Sequence, residues 1–308
     1  MKKHSILLLI FYCITINFSF SSELKPRNVT FKILTFNLWV GGDGSGFTMT
    51  ESVSSQLKTI RSTKADVVAF QEQTSYKFGQ HDRAKLLADS LKWNCIVIDK
   101  SRAVISKYPL ERLTIESSQI LKLTIQGKEI LIADVHFQAY PYEPYDIADG
   151  KITNENDAIK SAINTRGKQI QSILDDRKGF ESFPMLVLGD FNEPSYYDWT
   201  VENIKKRNDP RLKFSVKWPS SSLLLEAGFY DVFRAIYKNV QKKPAYTWTS
   251  IPGGSIPNEV YDRIDLIYAN KQIKVKSVAI VGENIENADF VITPWVTDHR
   301  AVLAEFSL

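Results

Sequence analysis

Residues 185–194 read Met-Leu-Val-Leu-Gly-Asp-Phe-Asn-Glu-Pro, an apolar run that ends abruptly in two polar side chains one residue apart. Such a run predicts a buried strand that delivers a carboxylate and an amide to its carboxyl end. Side chains alternate along a strand, so Asp190 and Asn192 are expected to point one way and Phe191 into the packing behind them. Gly189 lets the backbone pass close to a neighbour, and Pro194 stops the ladder. A plain turn after a core strand reads the same way locally, so the rest of the chain has to decide.

The 308 residues, 44% of them hydrophobic, suffice for one large domain with a sizeable core and are too ordinary in composition for disorder. No repeat, low-complexity tract or Gly/Ser linker divides them. The start differs: Lys2, Lys3 and His4 precede an uncharged run from Ile6 to Phe20, followed by Ser21, Ser22 and Glu23. This pattern predicts a secretory signal peptide over residues 1–21, cleaved near Ser21, with a catalytic domain over 22–308. As a transmembrane anchor the run falls short of the about 20 residues a span needs. Cleavage would place the protein outside the cell or in a periplasm, remove Cys13 and leave Cys95 without an intramolecular partner. Lys2 and Lys3 supply half of the formal net charge of +4, so the mature chain is nearly neutral and shows no basic stripe of the kind that grips a polyanion.

Several other predicted strands end in polar side chains. Val29 to Trp39 alternates and brings Asn37 to its end; Ala65 to Gln71 leads to Glu72; Lys128 to Gln138, paired with Leu113 to Ile125 through a turn at Gln126-Gly127-Lys128, carries His136. Tyr261 to Tyr268 holds Arg263 and Asp265 on one face, and Asp298 and His299 precede a closing strand from Ala301 to Phe306. Between these lie predicted helices: Met49 to Ser62, with Thr50 as a cap; His81 to Leu91; a long one starting at Asn154; and Ser220 to Ala227. On the long helix Arg166 falls on the apolar face and needs a carboxylate beneath it. Tyr140 to Tyr145 is a proline-rich aromatic loop, and Tyr196, Tyr197 and Trp199 form a second aromatic cluster. Hard oxygen donors at several strand ends suit a Mg2+-type ion. The sequence lacks zinc-type Cys/His spacing, a phosphate-binding Gly-rich loop with Lys-Ser/Thr, and a Gly-x-Ser-x-Gly elbow.

Taken in order, TFNLW at Asn37, VVAFQE at Glu72, AVISKYPL, DVHF at His136, LVLGDFN, RIDLIYA at Asp265 and TDHRAV resemble the endonuclease/exonuclease/phosphatase superfamily over nearly all of the mature chain. The resemblance implies an α/β fold, a four-layer α-β-β-α sandwich of two mixed sheets flanked by helices, and a monomeric hydrolase of phosphoester bonds dependent on Mg2+, or on Mn2+ in its place. It implies Glu72 as the main metal ligand helped by Asn37 and Asp298, Asp190 as the group that activates water, and Asn192 as its aligner. His299, paired with Asp265, would bind phosphoryl oxygens, and His136 would contact the phosphate or protonate the leaving oxygen. Two departures stand out. The family's Asn-Thr-His is here Asp134-Val135-His136, and Asp262 competes with Asp265 as the partner of His299. Tyr142, Tyr197 and Arg166 are candidate substrate contacts. The aromatic loops and near-neutral charge favour a small or ring-bearing phosphoester over duplex DNA. A secreted nuclease, a sphingomyelinase-like phosphodiesterase and a non-catalytic recognition module remain as alternatives, and no obligate protein partner is evident.

Overall fold

The computed structural model describes residues 29–77, 79–113, 119–207 and 209–308. The expected signal peptide and Cys13 lie outside these residues, as does part of the predicted segment Leu113 to Ile125. Among the described residues no helix is long and apolar enough to cross a membrane.

Two mixed sheets face each other. The first has seven strands in the order Phe290–Val291, Lys274–Gly282, Ala301–Ser307, Thr30–Asn37, Val67–Gln71, Ala103–Ser106 and Asn94–Val97. In the second, Phe229–Asp231, Asp265–Asn270, Met185–Asp190, Lys128–His136, Ile120–Ile125 and Leu110–Arg112 follow one another. Strand alternation explains the layers. Ile33, Ala69, Ile132, Leu186, Leu188 and Ile267 meet between the sheets. Their odd-even neighbours Leu34, Phe36, Val68 and Phe70 pack outward on Ile60 and Leu87 of helices Met49–Thr63 and Arg83–Leu91. On the other side Leu131, Val135, Met185 and Val187 pack on Ile170 and Ile173 of helix Lys168–Asp176. The result is the four-layer sandwich. A one-residue slip of any central strand would exchange these faces, at about 1.5–3 kcal/mol for each large apolar side chain displaced, so the register is strongly held.

The same parity places the site. Asn37 lies on the face of Ile33, His136 on that of Ile132, Asp190 on that of Leu188 and Asp265 on that of Ile267, so each strand's last polar residue opens into the gap between the sheets at its edge. A buried chain of hydrogen bonds ties the sheets just below it. Thr35 Oγ1 donates to Gln71 Oε1 at 3.2 Å, and Gln71 Nε2 to Asp134 Oδ1 at 2.6 Å.

Some local expectations change. Thr48, and not Thr50, caps the first helix, because only Thr48 stands three residues before Glu51 to form a capping box. The second helix starts at Arg83, since His81–Asp82 pair with Thr74–Ser75. Pro144 sits in the first turn of a short helix, Glu143–Ala148, where its missing N–H costs nothing. Asn154 does cap a long helix, but a π-turn at Ile163–Gly167 interrupts it. The segment Tyr246 to Trp248, whose aromatic and β-branched residues predict a short strand, makes only isolated bridges, from Trp248 to Asp262 and to His299.

Candidate active site

Asp190 is the centre of the arrangement. In the second sheet it is paired with His136 on one side and Asp265 on the other. The register is close because Gly189 adopts φ +142°; a Cβ there would sit 2.0 Å from the Val135 carbonyl oxygen. Asp190 Oδ2 accepts Asn37 Nδ2 at 3.0 Å from the opposite sheet. The same oxygen lies 3.8 Å from His136 Nε2 and 3.7 Å from His299 Nε2. One carboxylate oxygen is therefore held by an amide and faced by two imidazoles. Asp190 Oδ1 accepts the Asn192 backbone N–H, and Asn192 Nδ2 donates to the Phe137 carbonyl. Phe191 is fully buried against Phe137 and Tyr268.

His299 is oriented from behind. Its Nδ1 meets Asp265 Oδ2 at 2.8 Å, which decides between the two candidate acids. Asp262 is occupied elsewhere: Tyr142 Oη, Trp199 Nε1 and Arg207 Nη1 all donate to it. Thr247 Oγ1 accepts the backbone N–H groups of Ile264 and Asp265 and so fixes the strand that carries the acid. Burial alone would push the His299 imidazole down, but Asp265 and Asp190 hold it well above the usual histidine range. Asp190 is pushed up to about 6 by burial, against the pull of His299.

Glu72 adopts φ +51° at the end of its strand, and this left-handed turn swings its carboxylate toward the gap. Its Oε2 accepts the Val40 N–H, and its Oε1 lies 3.4 Å from Asn37 Nδ2 and 3.8 Å from His136 Nε2. Asp298 lines the same cleft; burial raises its pKa to about 6, and the Glu72 and Asp190 charges add to the rise. The cleft, about 240 Å3, takes in Glu72, His136, Asp190, Asn192, Asp298 and His299, with an aromatic wall of Trp39, Tyr140, Tyr142, Tyr145 and Trp248. No Lys or Arg lines it among the described residues.

Glu72, Asp190 and Asp298 bring three carboxyl groups to one cleft where the two imidazoles are the only basic side chains lining it among the described residues, and this excess of hard oxygen donors fits a cation that the Glu72 and Asp298 oxygens and the Asn37 amide oxygen could ligate. Ligand atoms of Asp190, Asp265 and His299 also lie within 4.8 Å of one another. That trio suits a cation less well, because His299 Nδ1 is already taken by Asp265 and the imidazole is held protonated.

Two expected contacts lie elsewhere. Arg166 is fully buried and joined to Glu143, with Glu193 Oε1 3.7 Å from its Nε, so it finds its carboxylate beneath the helix and lines no part of the cleft. Tyr197 borders a separate hollow with Tyr230 and Lys238. Two residues were not anticipated. The Ser101 hydroxyl meets His136 Nδ1 at 2.5 Å and accepts the Glu72 N–H, linking the two across a loop that carries no motif. Trp248 packs its ring 4.9 Å from that of His299, and its Nε1 donates to Tyr145 Oη.

The profile of the Endonuclease/Exonuclease/phosphatase family matches residues 34–299. An uncharacterized protein of Caenorhabditis elegans is 28% identical over 325 residues, covering 97% of this chain and 98% of the relative. Among solved structures, an endonuclease/exonuclease/phosphatase from Beutenbergia cavernae superposes with TM-score 0.58 at 16% identity, over 91% of this chain and 72% of its own. D. rerio TDP2 complexed with a single-strand DNA product gives 0.56 at 14% identity, over 90% and 98%. An AP endonuclease from Archaeoglobus fulgidus gives 0.54 at 14%, over 89% and 98%. At these identities the likeness to solved structures is one of fold.

Proposed function

This chain belongs to the Endonuclease/Exonuclease/phosphatase family, whose members are metal-dependent phosphoesterases, and from that premise we propose a secreted, monomeric, Mg2+-dependent hydrolase that cleaves a small or ring-bearing phosphoester by in-line attack of water. The observation that carries the reading is the Asp190 carboxylate oxygen, held by Asn37 and set 3.7 and 3.8 Å from two imidazole nitrogens. The residues fit a divalent ion at Glu72, Asn37 and Asp298, where it would polarise the phosphoryl oxygen and offset the charge that develops there.

The chain's own groups do the rest. Asp190 takes a proton from water as it attacks, a role suited to a carboxylate whose pKa burial has raised toward neutrality. Asn192 aligns that water. His299, kept cationic by Asp265, presents Nε2–H to the phosphoryl oxygens and strengthens its hold as they gain charge. His136, backed by Ser101, delivers a proton to the leaving oxygen or hydrogen-bonds the phosphate. The aromatic wall receives an apolar or ring-bearing group. The absence of Lys and Arg from the cleft lining speaks against a polyanion threaded through it. Secretion rests on the leader pattern at residues 1–21.

The test is a panel of phosphoesters, from DNA and RNA to sphingomyelin, inositol phosphates and an aryl diester, assayed with and without Mg2+. The expected result is turnover of a small ester that chelation abolishes, Mg2+ restores and Asp190→Ala lowers by about a hundredfold or more. Metal-independent turnover, or an Asp190→Ala protein that stays active, would overturn the reading.

A further inference from the structure

A second groove of about 450 Å3 adjoins the cleft, and the two meet at His136, which lines both. Their chemistry differs. The cleft is walled by aromatic rings, whereas the groove is edged by Ser101, Arg102, Gln119, Lys168, Gln169 and Ser172. Arg102 is already committed, with Nε and Nη2 on Asp99 and Nη1 on Gln119 Oε1 and the Asp134 carbonyl. Asp99 is thereby neutralised as well. The Lys168 ammonium has no ion-pair or hydrogen-bond partner among the described residues and is exposed, which makes it the groove's uncommitted cation.

The placement of Lys168 follows from the π-turn just before it. Ile163–Gly167 carries one extra residue per turn, buries Arg166 on Glu143 and turns the next positions toward the strand end at His136. Gln169 Oε1 accepts the Gln138 backbone N–H at 2.9 Å and locks the helix there. A plain α-helix continued from Asn154 would set Lys168 and Ser172 at a different angle to His136.

We propose that the enzyme is a diesterase that sorts its two ester arms on either side of His136: a ring-bearing or apolar arm against the aromatic wall, and a sugar-phosphate arm in the polar groove, its anionic group paired with Lys168. The inference rests on the phosphoesterase reading above and narrows it, since a monoester would leave the groove unused. Hydrolysis forms one P–O bond from water and breaks the bond to one arm. That arm leaves as an alcohol with a proton, and the other stays on a phosphomonoester.

The test uses the mature enzyme with Mg2+ and three nitrophenyl diesters: bis(para-nitrophenyl) phosphate, thymidine 5′-para-nitrophenyl phosphate, and the latter bearing a 3′-phosphate. Lys168→Gln is expected to raise KM for the 3′-phosphorylated ester about fivefold, the upper range for an exposed ion pair, and to leave kcat unchanged. The bis-aryl ester should be indifferent to the substitution, and Lys168→Arg should restore KM. Raised salt should weaken binding of the 3′-phosphorylated ester to wild type but not to Lys168→Gln. Equal effects on all three esters, or none on the 3′-phosphorylated one, would overturn the inference alone. If wild type turns over none of them but cleaves a monoester of the wider panel, the inference alone falls; if it cleaves nothing in that panel, the phosphoesterase reading falls and the inference with it.

Discussion

Replacing Asp265 with Asn is the sharpest probe of the site, because it alters one charge and almost no volume. The Nδ1–Oδ2 contact of 2.8 Å sets the two charges about 4 Å apart between centres, and at an effective dielectric near 20 they attract by about 4 kcal/mol. With an amide in place of the carboxylate, the imidazole loses the partner that keeps it cationic, whichever way the amide turns. If that coupling reaches the transition state in full, kcat falls about a thousandfold; partial compensation by Asp190 would leave about a hundredfold. Stability should suffer less, since His299 can shed its proton and avoid a stranded buried charge. The assay is kcat and KM on the best ester of the panel, with circular dichroism and a melting curve to verify folding. A folded Asp265→Asn enzyme that keeps more than about a tenth of wild-type kcat would refute the role given to the pair. Asp262→Asn serves as the companion: it removes the charge paired with Arg207 and one of the two acceptor oxygens that Tyr142, Trp199 and Arg207 share, so it should lower Tm while leaving kcat within about tenfold.

Two further outcomes test the architecture. Gly189→Ala would press a Cβ within 2.0 Å of the Val135 carbonyl at a φ of +142°, and since a backbone atom cannot step aside, chemical denaturation should show a loss of about 3 kcal/mol or more; a loss below about 1 kcal/mol would mean that the strands part easily. Glu193 is fully buried beside Arg166, and burial, opposed by Arg166, pushes its pKa from an ordinary 4.5 up to about 7. The native state then holds a proton that the unfolded chain has released, so stability should fall as pH rises from about 4.5 to about 7 and level off above, by about 3 kcal/mol in all. Glu193→Gln should flatten that part of the Tm-against-pH curve, and an unchanged slope would exclude Glu193 as its source.

Much of this protein was legible in its sequence because the decisive signals are local. Alternation along Met185–Asp190 already said that Asp190 shares a face with Leu186 and Leu188, and the same count applied to Asn37, His136 and Asp265. The ordered motifs that end those strands resemble a known family, and that resemblance implied the sandwich. What only the tertiary structure decided depends on which strands lie side by side and in what register. Asp262 and Asp265 are three residues apart, and nothing local says which meets His299; the isolated bridges of Trp248 and the grip of Thr247 settle it by turning Asp262 toward Arg207. Ser101 reaches His136 across 35 positions, a contact made by loop closure and invisible to periodicity. Arg166 was recognisable as a charge needing a partner, but the π-turn that lowers it onto Glu143 and swings Lys168 toward the groove arises from packing. A residue's face along its strand or helix is written in its immediate neighbours, whereas its distance from another element's residue is set by the packing of the whole chain.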